Sequence, residues 1–144
     1  MPDKNSHAYW LMKSEPSAWS WDEQVAAGAK GVPWSGVRNH LAKQNLMAMK
    51  RGDLGFFYHS NEGKEIVGIV EIIREHYPDP EAEAGEPWVV VDVKAIKPLA
   101  KPVTLAAIKA EPRLTNMSLV KYARLSVQPV TKAERDIVMK MGSA

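Results

Sequence analysis

Cysteine is absent from the 144 residues, and with it any disulfide framework or thiolate metal site. Long apolar runs are missing as well. No leading segment joins a charged start to an apolar stretch long enough for a signal peptide or a membrane span, so the chain is expected to be soluble and intracellular, cytoplasmic or nuclear. Charge of one sign is not in large excess: 19 Lys and Arg against 17 Asp and Glu leave a net +2, which argues against a strongly basic polyanion binder of the histone type. The four histidines, His7, His40, His59 and His76, show no H-x-x-x-H or H-E-x-x-H spacing, and neither a G-x-G-x-x-G nor a P-loop is present. Neither a metal nor a cofactor is expected. His59-Ser60 is only an adjacency, since a serine nucleophile needs a base oriented by a third group. Internal repeats and low-complexity segments are also lacking. Asn116-Met117-Ser118 matches a glycosylation sequon that carries no weight without a secretory signal.

What is present suffices for one core: 45% of the residues are hydrophobic, and the length falls in the usual single-domain range. Residues 1–8 are expected to form a flexible tail and 9–144 one domain. Tyr9-Trp10-Leu11-Met12-Lys13 is a short strand that stops at Ser14-Glu15-Pro16, because proline pushes its predecessor out of helical geometry. Ser20-Trp21-Asp22-Glu23 is a capping box opening a helix to about Ala27, before Gly28 and Gly31. From Val37, the apolar residues Val37, Leu41, Leu46 and Met47 fit an amphipathic helix ending before Gly52, with Arg38, Lys43, Lys50 and Arg51 on its other faces. Asp53 to His59 and Ile66 to Arg74 form a hairpin through Asn61-Glu62-Gly63-Lys64. Trp88 to Ile96 gives a third long strand, Thr104 to Ala110 a short helix, and Leu125 to Gln128 a further strand. Thr131-Lys132-Ala133-Glu134 is a second capping box, opening a closing helix in which Ile137, Val138 and Met141 share an apolar face. Five or so strands mixed with short helices predict an α+β fold with a strongly curved mixed sheet or partial barrel.

Two runs place ligand-binding chemistry where the chain turns. In Trp34-Ser35-Gly36-Val37-Arg38-Asn39, an indole in a Pro- and Gly-rich turn is poorly placed for a core. That favours a partly exposed stacking platform over a packing role. Arg38 can bind phosphate or pair with an acid; Asn39 can read a base edge or cap the helix. In Phe56-Phe57-Tyr58-His59-Ser60, Tyr58 and His59 point to opposite faces of a strand, and Ser60 returns to the Tyr58 side. Lys13 and Ser14 at the end of the first strand can add a charge and a hydroxyl to the same mouth. Trp10, Trp21 and Trp88 sit in periodic segments and suit packing, while Trp19 is open to either role. Between Lys94 and Arg124 there are seven basic residues against Glu111, and between Glu71 and Asp92 seven acids against Arg74. One side of the molecule can therefore be positive, although a scatter over solvated surface fits equally.

Tyr9 through Pro16, Trp34 through Asn39, Gly52-Asp53 through Ser60, Ile66-Val67-Gly68-Ile69, Tyr77-Pro78-Asp79 and Arg124-Leu125-Ser126-Val127-Gln128-Pro129, in this order, resemble the EVE domain family over nearly the whole chain. The resemblance implies a PUA-like mixed-sheet pseudo-barrel of about five to six strands flanked by short helices. It also implies a nucleic-acid role, recognition of a modified base such as a 5-substituted cytosine (5-methylcytosine). DNA is favoured as the partner over RNA, and no membrane partner is expected. The expected ligand-binding set is Lys13, Ser14, Trp34, Val37, Arg38, Asn39, Tyr58, His59, Ser60, Arg124 and Ser126, the last two resembling the family's late motif. The rival reading is an ASCH-like enzyme acting on RNA or a modified nucleoside, with Lys13, Glu15 and Tyr58 as its set; motifs for an enzyme are otherwise wanting.

Overall fold

The two capping boxes form as the sequence predicts, because each needs only residues three apart. In the computed structural model, which describes residues 8–143, the Ser20 Oγ accepts from the Glu23 amide at 3.1 Å and the Glu23 carboxylate accepts from the Ser20 amide at 3.0 Å. This pair opens α1 (Trp21–Ala26), and the reciprocal pair of Thr131 and Glu134 opens α5 (Lys132–Met141). In chain order the strands and α-helices run β1 (Tyr9–Ser14), α1, β2 (Val32–Pro33), α2 (His40–Ala48), β3 (Leu54–His59), β4 (Glu65–Pro78), β5 (Val89–Thr104), α3 (Leu105–Ala110), α4 (Ser118–Lys121), β6 (Val127–Val130) and α5. Residues 1–7 of the expected tail lie outside the described residues. Ala8 donates its amide to Asp53 at 3.1 Å.

The six strands make one mixed sheet in the order β2-β5-β4-β3-β1-β6. It is an α+β, PUA-like fold, with an open sheet rather than a closed barrel. β1 and β3 run parallel, with Lys13 opposite Tyr58 and Ser14 opposite His59, while the other pairs are antiparallel. A parallel neighbour requires a crossover, and the segment carrying α1, β2 and α2 supplies it. β4 and β5 span 14 and 16 residues and slip register at four places, which coils the sheet around its contents.

Both faces are covered. Trp10, Met12, Phe57, Val70, Ile72, Val91 and Val93 face α1, α2 and the loop carrying Trp34. Leu11, Phe56, Tyr58, Ile66, Leu99 and Val103 face α3, α4 and α5. The run Phe56-Phe57-Tyr58 is buried throughout because successive side chains enter opposite cores. Gly68 is required by its neighbour: a Cβ there would lie 2.4 Å from the Trp21 ring.

Two expectations change. α2 starts only at His40, so Ala42 and Leu46 face inward, with Met49 just beyond, while Leu41 and Met47 are exposed; Val37 is buried from the preceding loop. The last strand is Val127–Val130, two residues later than expected, on the sheet edge where Pro129 need not donate. Where the acidic and basic segments meet, β4 and β5 pair and bring Lys94 to within 3.6 Å of Glu71. Among the described residues no helix is long and apolar enough to cross a membrane.

Candidate functional site

A cleft of about 440 Å³ opens at the C-terminal end of β1, lined by Lys13, Ser14, Glu15, Ala18, Trp19, Val32, Pro33, Trp34 and Ser35. Local chemistry shapes it. Pro16 ends the strand, and the following turn closes on the Glu15 carbonyl, which accepts from the Ala18 and Trp19 amides at 2.9 Å each. Ser14 Oγ donates to the Trp19 carbonyl at 2.5 Å, and the Trp19 indole donates to Gln24 Oε1 at 2.9 Å. Gln24 is fully buried and donates in turn to the Val93 carbonyl at 3.3 Å, so this indole is anchored through a buried amide. On the opposite wall the Trp34 amide donates to Val91 at 2.7 Å.

The wall continues into a loop held by a buried carboxylate. Asp79, whose side chain has no exposed surface, accepts from the Gly36 amide at 3.3 Å, from Arg38 Nη1 at 3.0 Å and from the Glu81 amide at 2.7 Å. Gly36 has φ 83°, a left-handed conformation that side chains resist. Burial alone would raise the Asp79 carboxyl; the Glu81 amide, Arg38 and the Gly36 amide together hold it below its ordinary value. Asp79 is legible as an Asp-Pro turn signal, but its distant partners Gly36 and Arg38, 43 and 41 residues away, are not.

Trp34 differs from the expected exposed platform. It is 7% exposed and stands edge-on to Phe57, with ring centres 5.5 Å apart, so it is a core residue whose remaining surface forms part of the cleft. Arg38 is taken by Asp79 and lies 5.7 Å from the Trp88 ring, so it is not a free phosphate ligand. Asn39 is the N-cap of α2, its Oδ1 accepting from Ala42 at 2.9 Å. His59 Nε2 accepts from the Trp21 amide at 3.0 Å, which commits this ring to the first turn of α1. Tyr58 is 3% exposed in the opposite core, where burial raises its phenol. The Ser60 amide donates to the Ser14 carbonyl at 2.9 Å.

Lys13 and Ser14 do reach the cleft. The Lys13 ammonium donates to the Ala123 carbonyl at 2.6 Å, 5.9 Å from the Tyr58 ring, and burial lowers its pKa. That bond ties the loop bearing the exposed Arg124 to the strand end, and the Ser126 carbonyl accepts from the Lys13 amide at 2.9 Å. Neither Arg124 nor Ser126 lines the cleft. The structure thus brings together Lys13, Ser14 and Trp34 from the expected set and adds Glu15, Ala18, Trp19, Val32, Pro33 and Ser35. Of the alternative catalytic set, Tyr58 does not line the cleft that Lys13 and Glu15 share. No group of three or more His, Asp or Glu able to hold a metal occurs among the described residues.

The arrangement of indoles, an apolar wall, hydroxyls and one carboxylate suits a flat, polar ring. A family model described as EVE domain matches residues 8–141. Thymocyte nuclear protein 1 of Homo sapiens is 34% identical over 169 aligned residues, covering 96% of this chain and 75% of that protein. The solution structure of Rpa0253 from Rhodopseudomonas palustris is 68% identical, with a TM-score of 0.89, over 94% of this chain and 92% of the other. A crystal structure of human THYN1 protein in complex with 5-methylcytosine-containing DNA is 33% identical, with a TM-score of 0.88, over 95% and 98% of the two chains.

Proposed function

The chain belongs to the EVE domain family, and from that membership we propose that it binds nucleic acid and takes a modified base, a 5-substituted cytosine in DNA, into the cleft at the end of β1. The observation that carries this reading is the cleft itself. Its volume of about 440 Å³ lies in the usual range for small-molecule sites, roughly 300–1,000 Å³. Its walls combine Trp19 and Trp34 with the apolar Ala18, Val32 and Pro33 and the polar Ser14, Glu15 and Ser35. The relative solved with 5-methylcytosine-containing DNA shares the fold over nearly its whole length, which supports the same ligand class.

A base leaving its stack loses neighbours, and stacking on an aromatic surface returns about 1–3 kcal/mol. The C5 methyl group adds roughly 0.8 kcal/mol if buried against the apolar wall. Phosphate contacts fall to cations without acid partners among the described residues, such as the exposed Arg124 beside the Lys13 tether and the half-buried Lys43 on α2, rather than to Arg38. A nearly neutral protein then makes few such contacts, so the salt dependence of binding is shallow, about two to four phosphates.

Competition binding with oligonucleotides differing at one position tests the proposal. The expected order is 5-methylcytosine ahead of cytosine, DNA ahead of RNA, with affinity falling as salt rises. Equal affinity for modified and plain oligonucleotides would overturn modified-base recognition. Release of a nucleoside or cleaved product in the same tubes would replace the reader with an enzyme.

A further inference from the structure

5-Methylcytosine and thymine share their ring shape and C5 methyl group, so the apolar wall of Ala18, Val32 and Pro33 attracts both alike. They differ at C4, where cytosine carries an amino donor and thymine a carbonyl acceptor. We propose that Glu15 is the specificity-determining residue of the cleft, its carboxylate accepting from the C4 amino group of a cytosine and repelling the C4 carbonyl of a thymine. This rests on the base-binding reading above and adds which base the cleft rejects.

Glu15 lines the cleft and its side chain is without a hydrogen-bond or ion-pair partner among the described residues. The nearest basic neighbour in sequence, Lys13, spends its ammonium on the Ala123 carbonyl at 2.6 Å. An ionised carboxylate is an acceptor only. Left unneutralised in a site for a polyanion, it costs affinity by repulsion from phosphate. Such a group fits a site that trades affinity for discrimination, because its repulsion falls hardest on the ligand presenting an acceptor. Its backbone is fixed in advance by the turn in which its carbonyl accepts from the Ala18 and Trp19 amides, so the residue is held in place within a lining that also includes Trp19 and Trp34.

The test is competition binding of a single-stranded oligonucleotide carrying 5-methylcytosine, cytosine or thymine at one position, so that no mismatch is introduced. Wild type is expected to prefer 5-methylcytosine to thymine by about tenfold or more. Glu15→Gln keeps the volume, but its amide can turn to donate to the thymine carbonyl, so the ratio should fall to within about threefold. Glu15→Ala should lose the preference as well, and both variants should melt with wild type because Glu15 is exposed. A wild-type preference left intact in both variants overturns the role of Glu15 alone. Equal wild-type binding of all three bases overturns the base-binding reading and this inference with it.

Discussion

Removing the Asp79 carboxylate should loosen the cleft wall from outside it. In Asp79→Ala, the Gly36 and Glu81 amides lose their acceptor and Arg38 loses its ion pair. Each orphaned, part-buried amide costs about 1 kcal/mol. The Arg38 side chain is 37% exposed and recovers hydration, so its share is held to about 1 kcal/mol, well short of the cost of a fully buried pair. The sum is about 3 kcal/mol, which for a chain of this size lowers the melting temperature by about 10 °C. Asp79→Asn retains an acceptor oxygen but not the charge and should lose about half as much. Because the folded carboxyl titrates below its unfolded value, its stabilisation is present above about pH 4 and is lost as pH falls through the folded pKa. The gap between wild type and Asp79→Asn should therefore close in acid. Thermal melts of both variants from pH 7 down to pH 3 measure this. A melting point for Asp79→Ala within about 2 °C of wild type at pH 7, or a gap for Asp79→Asn that stays constant into acid, would refute the reasoning.

Trp34→Ala opens a void against Phe57 and should cost about 3–5 kcal/mol in urea unfolding, with Trp34→Phe losing much less; a cost under about 1 kcal/mol would return this indole to the surface. Gly68→Ala forces its Cβ into the Trp21 ring, 2.4 Å away, and should destabilise by about 1–3 kcal/mol, read by the same method. Asn39→Ala removes the α2 cap and should cost about 0.5–2 kcal/mol while leaving the ratio between modified and plain base unchanged. A changed ratio at constant stability would make Asn39 a base contact.

Local signals in the sequence predicted local structure well. Ser20 with Glu23 and Thr131 with Glu134 need only each other, and the hairpin between β3 and β4 follows from two apolar runs joined by a polar turn. The errors arise where a distant partner decides. Trp34 looks exposed from Pro33 and Gly36, yet Phe57 arrives on another strand to bury it. Arg38 looks free until the turn at Asp79, 41 residues later, is folded beside it. The apolar spacing counted from Val37 puts Leu41 and Met47 on the inner face with Leu46; capping by Asn39 keeps Leu46 inside but adds Ala42 and turns Leu41 and Met47 outward. The strand end at Lys13 and Ser14 was placed correctly, since proline two residues on leaves little choice. Trp19 was undecidable because its anchor, Gln24, is a polar residue whose burial depends on the Val93 carbonyl.

The central claim is that a modified base enters the cleft at the end of β1, and amide and indole chemical-shift perturbation on titration with a short single-stranded DNA carrying one 5-methylcytosine tests it most directly. The account predicts that the largest shifts fall on Ser14, Glu15, Ala18, Ser35 and the Trp19 and Trp34 indoles, and that plain cytosine in the same oligonucleotide moves them less at equal concentration. Shifts concentrated on α3 and α5, with the cleft signals unmoved, would contradict it.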